Sequence, residues 1–261
     1  MTDVTVEKKD GVARVAMNRP ERRNGMNMAM LAGMIDALEE IASDDSIRVV
    51  VVTGNGNDFS VGADLALVAG EASGNGESEW TARIWDTYRI PLVLHDMPQV
   101  TLAAIDGACA GAAFGIACAA DLRFASDRAL FTTAFLKVGA AGDMSGAWTL
   151  PRILGRAKAH ELYFLPEKIR AAEALEIGLV NRVFAAEDFA AEIDAITERL
   201  AGSAPLALRG IKANFKDAET LGFADYVPVE SKRHSELMAS ADAREAASAF
   251  MQKRTPVFEG R

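Results

Sequence analysis

Cysteine and histidine are scarce, with two Cys and three His in 261 residues. Cys109 and Cys118 stand nine apart in one small-residue segment. That is neither a disulfide framework nor a metal-ligand spacing, so no metal site is expected and both read as buried reduced thiols. No apolar run approaches the roughly 18 residues that a membrane-crossing helix needs. The first residues, MTDVTVEKKDGVARV, are charged and alternating rather than a cleavable leader, and the chain reads as cytoplasmic. Positive charge is in deficit: 28 Lys and Arg against 37 Asp and Glu give a net charge of −9. A nucleic-acid-binding face needs the opposite balance, so none is expected. No dinucleotide-binding glycine fingerprint and no P-loop stands at a strand-to-helix junction, which removes the common nucleotide-binding α/β classes. With 21 Gly and 8 Pro, collagen-like and low-complexity readings fail as well.

Half of the residues are hydrophobic and a quarter are charged, enough to bury a core. The length suits one large domain with an appendage. Residues 3–7 and 12–17 alternate around Asp10-Gly11 and read as a hairpin. Met30, Leu31, Met34, Ile35, Leu38 and Ile41 recur at helical spacing. Residues 47–53 (IRVVVVT) and 100–105 (VTLAAI) are continuous apolar runs, as strands covered on both faces are. Residues 70–80 are Gly/Ser/Glu-rich and read as a mobile loop, followed by a helix over 81–96. Further helices are expected over 111–120, 150–165 and 171–178, with strands over 121–125 and 179–184. From about residue 188 nearly everything is helical. The pattern is a strand-and-helix α/β core over 1–188 followed by a helical region over 189–261.

Two segments are suited to chemistry. Residues 59–65 (FSVGADL) follow a strand and a Gly-rich turn, where Gly62 permits a positive φ and exposed N–H groups are able to donate to an oxyanion. Residues 105–115 (IDGACAGAAFG) join a buried strand to a helix that begins near Ala112. Eight of these eleven residues are Gly, Ala or Cys, and the helix start offers unpaired N–H groups with partial positive charge. A plain strand-to-helix turn and tight helix–sheet packing account for the same two segments. Taken together, they offer two backbone donors from separate strand ends, an arrangement that polarises a thioester carbonyl.

In order along the chain, RVAMNRPERRNGMN, VVVVTGNGNDFSVGADL, VTLAAIDGACAGAAFGIACAADLRFAS, LPRILG and AAEALEIGLVNRV resemble the enoyl-CoA hydratase/isomerase superfamily, also called the crotonase family, over roughly residues 5–250. The resemblance implies a crotonase-like spiral of ββα units whose helical C-terminal region, 189–261, forms a homotrimer or, by pairing of trimers, a homohexamer. It implies an acyl-CoA substrate and no separate cofactor, coenzyme A entering as part of the substrate. By position, Val61 and Ala112 match the two oxyanion-hole donors. Arg22 and Arg23 fall in the segment that runs beside the CoA nucleotide, and Ala63, Asp64 and Leu65 resemble the stretch that contacts adenine. Surface charge alone also accounts for the two arginines.

The chain departs from the hydratases at the positions of their two glutamates, where Gly115 and Phe135 stand. Neither transfers a proton, so the two-carboxylate addition of water is not carried over. One acid remains in the region. Asp143 lies eight residues after Phe135, at an offset where dienoyl-CoA isomerases carry an acid/base Asp and 4-chlorobenzoyl-CoA dehalogenases a nucleophilic one. The dehalogenase's general-base His falls, by ungapped counting, at Tyr88, and the nearest histidine, His95, reads as a surface helix-end residue. Asp143 sits between Gly142 and Gly146 in an apolar stretch, which would desolvate it and raise its pKa. It would equally serve as a cap for a helix beginning near Ser145. Phe114, Phe131, Phe135 and Trp148 are candidates for an aromatic acyl pocket, or for ordinary core. Three functions remain open: proton transfer, hydration or hydrolysis on an acyl-CoA using Asp143; dehalogenase-like chemistry; or an inert acyl-CoA-binding scaffold.

Overall fold

The structure, a computed structural model, describes residues 2–64 and 84–261. The hairpin expected around Asp10-Gly11 is present as β1 (Val4–Lys9) and β2 (Val12–Met17), paired antiparallel. The β-branched run forms β3 (Val49–Gly54), and the next apolar run forms β4 (Val100–Ile105). Each is parallel to its neighbour, and the main sheet continues through β6 (Leu122–Ser126) to β9 (Arg182–Phe184), in the order β1-β2-β3-β4-β6-β9. Both faces of β3 are covered, because alternate side chains enter different clusters. Val50 and Val52 pack with the helix α1 (Met28–Ala42), whereas Val49 and Val51 pack with Phe189, Ile193 and Ile196 of α7 (Phe189–Ala201). The first helix of the C-terminal region therefore completes the core of the sheet.

A second, three-stranded sheet was too short to read in advance. It pairs β5 (Ala108–Ala110) with β7 (Leu130–Thr132) and β7 with β8 (Ile169–Arg170). Its first strand, β5, leads the chain from β4 into α3 (Ala112–Ala119). The helix α2 (Arg89–Asp96) lies within the expected 81–96 segment. The expected loop at 70–80 lies outside the described residues.

The single helix expected over 150–165 is two, α4 (Gly146–Leu154) and α5 (Arg156–Phe164). Gly155 separates them at φ +76°, a conformation that ends a helix and that the apolar spacing on either side conceals. After α6 (Ala171–Glu176), the C-terminal region comprises α7, α8 (Pro205–Thr220), α9 (Phe223–Met238) and α10 (Ala241–Gln252). Lys212 of α8 is buried and donates to the carbonyls of Leu94 and Gln99, at 2.9 Å each, while its ammonium meets Asp121 at 2.9 Å. That contact ties α8 to the C-terminal end of α2. Among the described residues no helix is long and apolar enough to cross a membrane.

Candidate active site

The two segments singled out by their small residues lie side by side. Ser60 N–H donates to Ala108 O at 2.8 Å and Ala110 N–H donates to Ser60 O at 3.1 Å, so the 59–64 turn runs parallel to β5. Glycine is required where they touch. Gly62 has φ +86°, and a Cβ there would lie 2.6 Å from Ala110 O. At Gly107, φ +61°, a Cβ would collide with Asn57 O. Asp58 locks the pair from outside, accepting Ala108 N–H at 2.8 Å and both Arg23 Nε and Nη2, at 2.8 and 3.0 Å. The Arg23 guanidinium holds the Asp58 carboxyl below the ordinary carboxylate range.

The backbone donors follow from this pairing. A parallel bridge joins Met26 to Ala63, using Met26 N–H to Gly62 O at 2.8 Å and Asp64 N–H to Met26 O at 2.9 Å. Gly62 N–H is taken by Ser60 Oγ at 3.0 Å. Val61 N–H, expected as an oxyanion donor, is directed to Arg23 O at 3.2 Å. The bridge leaves Ala63 N–H with no partner among the described residues. Ala112 is the first residue of α3, and its N–H likewise has none, as the first turn of a helix dictates. A Cβ on Gly62 would be 3.4 Å from Ala112 N, so the two segments converge here.

Ala63, Ala112 and Asp143 line one cavity of about 340 Å³, together with Met26, Tyr88, Phe135 and Met144. Asp143 precedes α4, yet its side chain makes no cap to that helix, whose N-cap residue is Ser145. Its Oδ1 is buried with no hydrogen-bond partner. Burial alone pushes the carboxyl up to about 6. The backbone beside it is held in an unusual shape, with Met144 at φ +45° and Ser145 at φ +61°. Gly115 permits that shape: a Cβ there would lie 2.8 Å from Met144 Cβ and 2.9 Å from Asp143 O. The residue read as a missing glutamate is thus the floor on which the Asp143 loop rests.

The aromatic candidates separate. Phe135 lines the cavity and stacks on Tyr163 at 5.8 Å between centroids. Phe114 does not line it; it is 1% exposed and packs edge-on to Phe131 in the core. Trp148 also lies outside it. With Trp85, Leu92 and His95 it lines a second apolar cavity of about 580 Å³, with Arg152 over its ring at 3.7 Å. Tyr88 lines both. His95 contacts Asp96 and Glu219 at 2.9 Å each, and no histidine lines the Asp143 cavity among the described residues. Arg23 is committed to Asp58. Arg22 is exposed and has no ion pair among the described residues, while Asp64 meets Arg19 at 3.3 Å. Leu65 lies outside the described residues. The described residues contain no cluster of metal ligands. Tyr163 was not anticipated; the signal that points to it is the pair Gly142 and Gly146, which make room for its ring and hydroxyl.

A family model described as enoyl-CoA hydratase/isomerase matches residues 7–261. The chain is 32% identical over 253 residues to a trans-2-decenoyl-[acyl-carrier-protein] isomerase of Streptococcus mutans, covering 97% of this chain and 96% of the relative. It is 36% identical over 211 residues to a 4-chlorobenzoyl coenzyme A dehalogenase of an Arthrobacter species, covering 81% and 76%. Among solved structures, an enoyl-CoA hydratase from Bacillus anthracis superposes with a TM-score of 0.92 at 27% identity, covering 99% of this chain and 100% of that one.

Proposed function

Because the chain belongs to the enoyl-CoA hydratase/isomerase family of acyl-CoA-processing enzymes, we propose that it moves a proton along the acyl group of a CoA thioester, with Asp143 as carrier. The thioester oxygen accepts from the N–H groups of Ala63 and Ala112. The Asp143 carboxylate takes a proton from an acyl carbon, and the C–H electron pair passes into the thioester as an enolate that those two donors stabilise. The same carboxyl returns the proton at a different carbon, and the double bond is displaced. One acid suffices, because the carboxyl that takes the first proton becomes the acid that delivers one, exchanging with solvent between the two steps. The observation that carries this reading is the unpartnered, buried Asp143 Oδ1 in the cavity that the two free N–H groups share. A carboxyl with a pKa of about 6 is ionised enough to accept a proton at neutral pH and protonated easily enough to return it.

Of the two original donor candidates, Ala112 is kept and Val61 is replaced by Ala63. Arg22 is the cation left to meet the CoA phosphates near Ala63 and Asp64, and Phe135 forms the acyl wall. Dehalogenase-like chemistry needs a general base beside the nucleophile, and the absence of histidine among the described lining residues argues against it. The exposed apolar residues Phe215, Phe223, Phe250 and Met251 support assembly of the 189–261 region into a homotrimer or homohexamer. The net charge of −9 supports a role away from nucleic acid, and the reduced cysteines a cytoplasmic one.

The test is mass spectrometry of an acyl-CoA panel incubated in D₂O, with wild type beside Asp143→Asn. Deuterium at the α- or γ-carbon that disappears in the variant supports proton transfer by Asp143. Equal exchange in both proteins refutes it. If neither protein alters or exchanges any thioester it measurably binds, the inert-binder reading takes its place.

A further inference from the structure

Tyr163 of α5 faces the Asp143 loop from behind. Its ring is held between Phe135, stacked at an interplanar angle of 22°, and Gly142, where a Cβ would lie 3.0 Å from the ring edge. Its hydroxyl abuts Gly146, so that a Cβ there would collide with Oη. The helix carrying it is fixed in turn, because Thr133 Oγ1 donates to Leu162 O at 2.7 Å. The loop from Gly142 to Gly146, which carries Asp143, therefore wraps the Tyr163 side chain.

Tyr163 Oη and Asp143 Oδ1 are both buried, and neither has a hydrogen-bond partner. One is able to donate and the other to accept. An unpaired donor and an unpaired acceptor on facing elements are each unfavourable, and a single hydrogen bond relieves both. The terminal torsion of a carboxyl is soft, so rotation of Asp143 brings an oxygen round without moving the backbone. The other titratable group set against Asp143 is Tyr88, just before α2; behind Tyr163 stands Cys118 of α3. Neither is a cation, and among the described residues no ion pair competes for the carboxylate. Tyr88 Oη is not among the buried unpaired atoms, which singles out Tyr163.

We propose that Tyr163 is the positioning residue of Asp143. Its hydroxyl donates to the carboxylate while Asp143 is ionised, and its oxygen accepts the acid O–H once Asp143 has taken a proton. The carboxyl thus keeps one orientation through both halves of the transfer. The inference rests on Asp143 being the proton carrier.

Tyr163→Phe removes one oxygen and leaves the ring on Phe135. A donor lost from a carboxylate raises its pKa. The rising limb of the kcat pH profile, set by Asp143, is expected to move up by about one unit, with KM changed less than twofold and kcat near pH 6 lowered about fivefold. Infrared titration of the carboxyl in free enzyme labelled with ¹³C-aspartate, assigned by its loss in Asp143→Asn, is expected to show the same shift without substrate. A Tyr163→Phe protein that titrates and turns over as wild type does overturns the inference. Should that variant fold poorly, Gly146→Ala displaces the hydroxyl from the other side, and the same titration decides. If Asp143→Asn abolishes exchange while Tyr163→Phe changes nothing, only this inference fails. If Asp143→Asn also leaves exchange intact, the reading of the site fails with it.

Discussion

A carboxyl that burial strips of water opposes folding whenever it is ionised, and Asp143 is such a group. Its pKa rises from 3.8 to about 6 through burial. Two units of displacement correspond to about 3 kcal/mol between the protonation states. The sign follows from the direction. The folded protein holds the Asp143 proton more tightly than the unfolded chain does, so the associated stability is fully present below about pH 4. It is lost as the pH climbs through about 6, and above pH 7 the folded state carries the whole cost. Asparagine has nearly the same shape and never ionises. Asp143→Asn is therefore expected to unfold at nearly the wild-type midpoint at pH 4. The gap should widen through pH 6 to about 3 kcal/mol at pH 8, or about 6 °C in melting temperature for a chain of this size. Urea titrations of both proteins at several pH values measure it. A gain independent of pH, or no gain at pH 8, refutes the assignment of Asp143 as a desolvated acid. The same variant loses turnover, so stability and activity are expected to move in opposite directions at one residue.

Ala112→Pro removes one free N–H at a position where proline suits the start of a helix, and kcat on any active thioester should fall about 100-fold or more with the fold retained; activity within threefold of wild type would rule Ala112 out as a donor. Hydration of crotonyl-CoA should be slow or absent, because Gly115 and Phe135 stand where the hydratases' two glutamates would be, and a spectrophotometric rate comparable with that of ordinary hydratases would contradict this. The pH profile of the exchange reaction should rise through about pH 6 as Asp143 ionises, and a rate flat from pH 5 to 8 would show that another group carries the proton.

The parts of the fold that read clearly from sequence are those with many residues in agreement. The valine run of β3 and the six-position apolar stripe of α1 each leave one solution. The short strands β5, β7 and β8 hold two or three residues apiece and exist only because partners far along the chain pair with them. The same cause directs Val61 N–H to Arg23 O, which its local sequence does not announce. Which N–H of the 61–64 turn is free depends on the bridge from Ala63 to Met26, a contact 37 residues distant that no local pattern encodes. Phe114 and Phe135 look alike in sequence, yet Phe114, on α3, packs against Phe131 in the core, whereas Phe135, in the turn after β7, is left on the cavity wall. That Ala112 and Asp143 line one cavity accords with the sequence, where small residues and an isolated acid stand out in an apolar context. Tyr163 does not, since its partner Asp143 lies twenty residues earlier, across a break between two helices.

The contact between Gly115 and the Asp143 loop also bears on how this protein is able to change. A glutamate placed at position 115 would not simply restore a lost carboxylate. Its first side-chain carbon would occupy space already held by the backbone of residues 143 and 144. To admit it, that loop must shift, and the acid it carries shifts with it. The two positions are thus coupled: an acid added at 115 is felt at Asp143, so single substitutions that spare Gly115 refine the Asp143 chemistry more readily than they replace it.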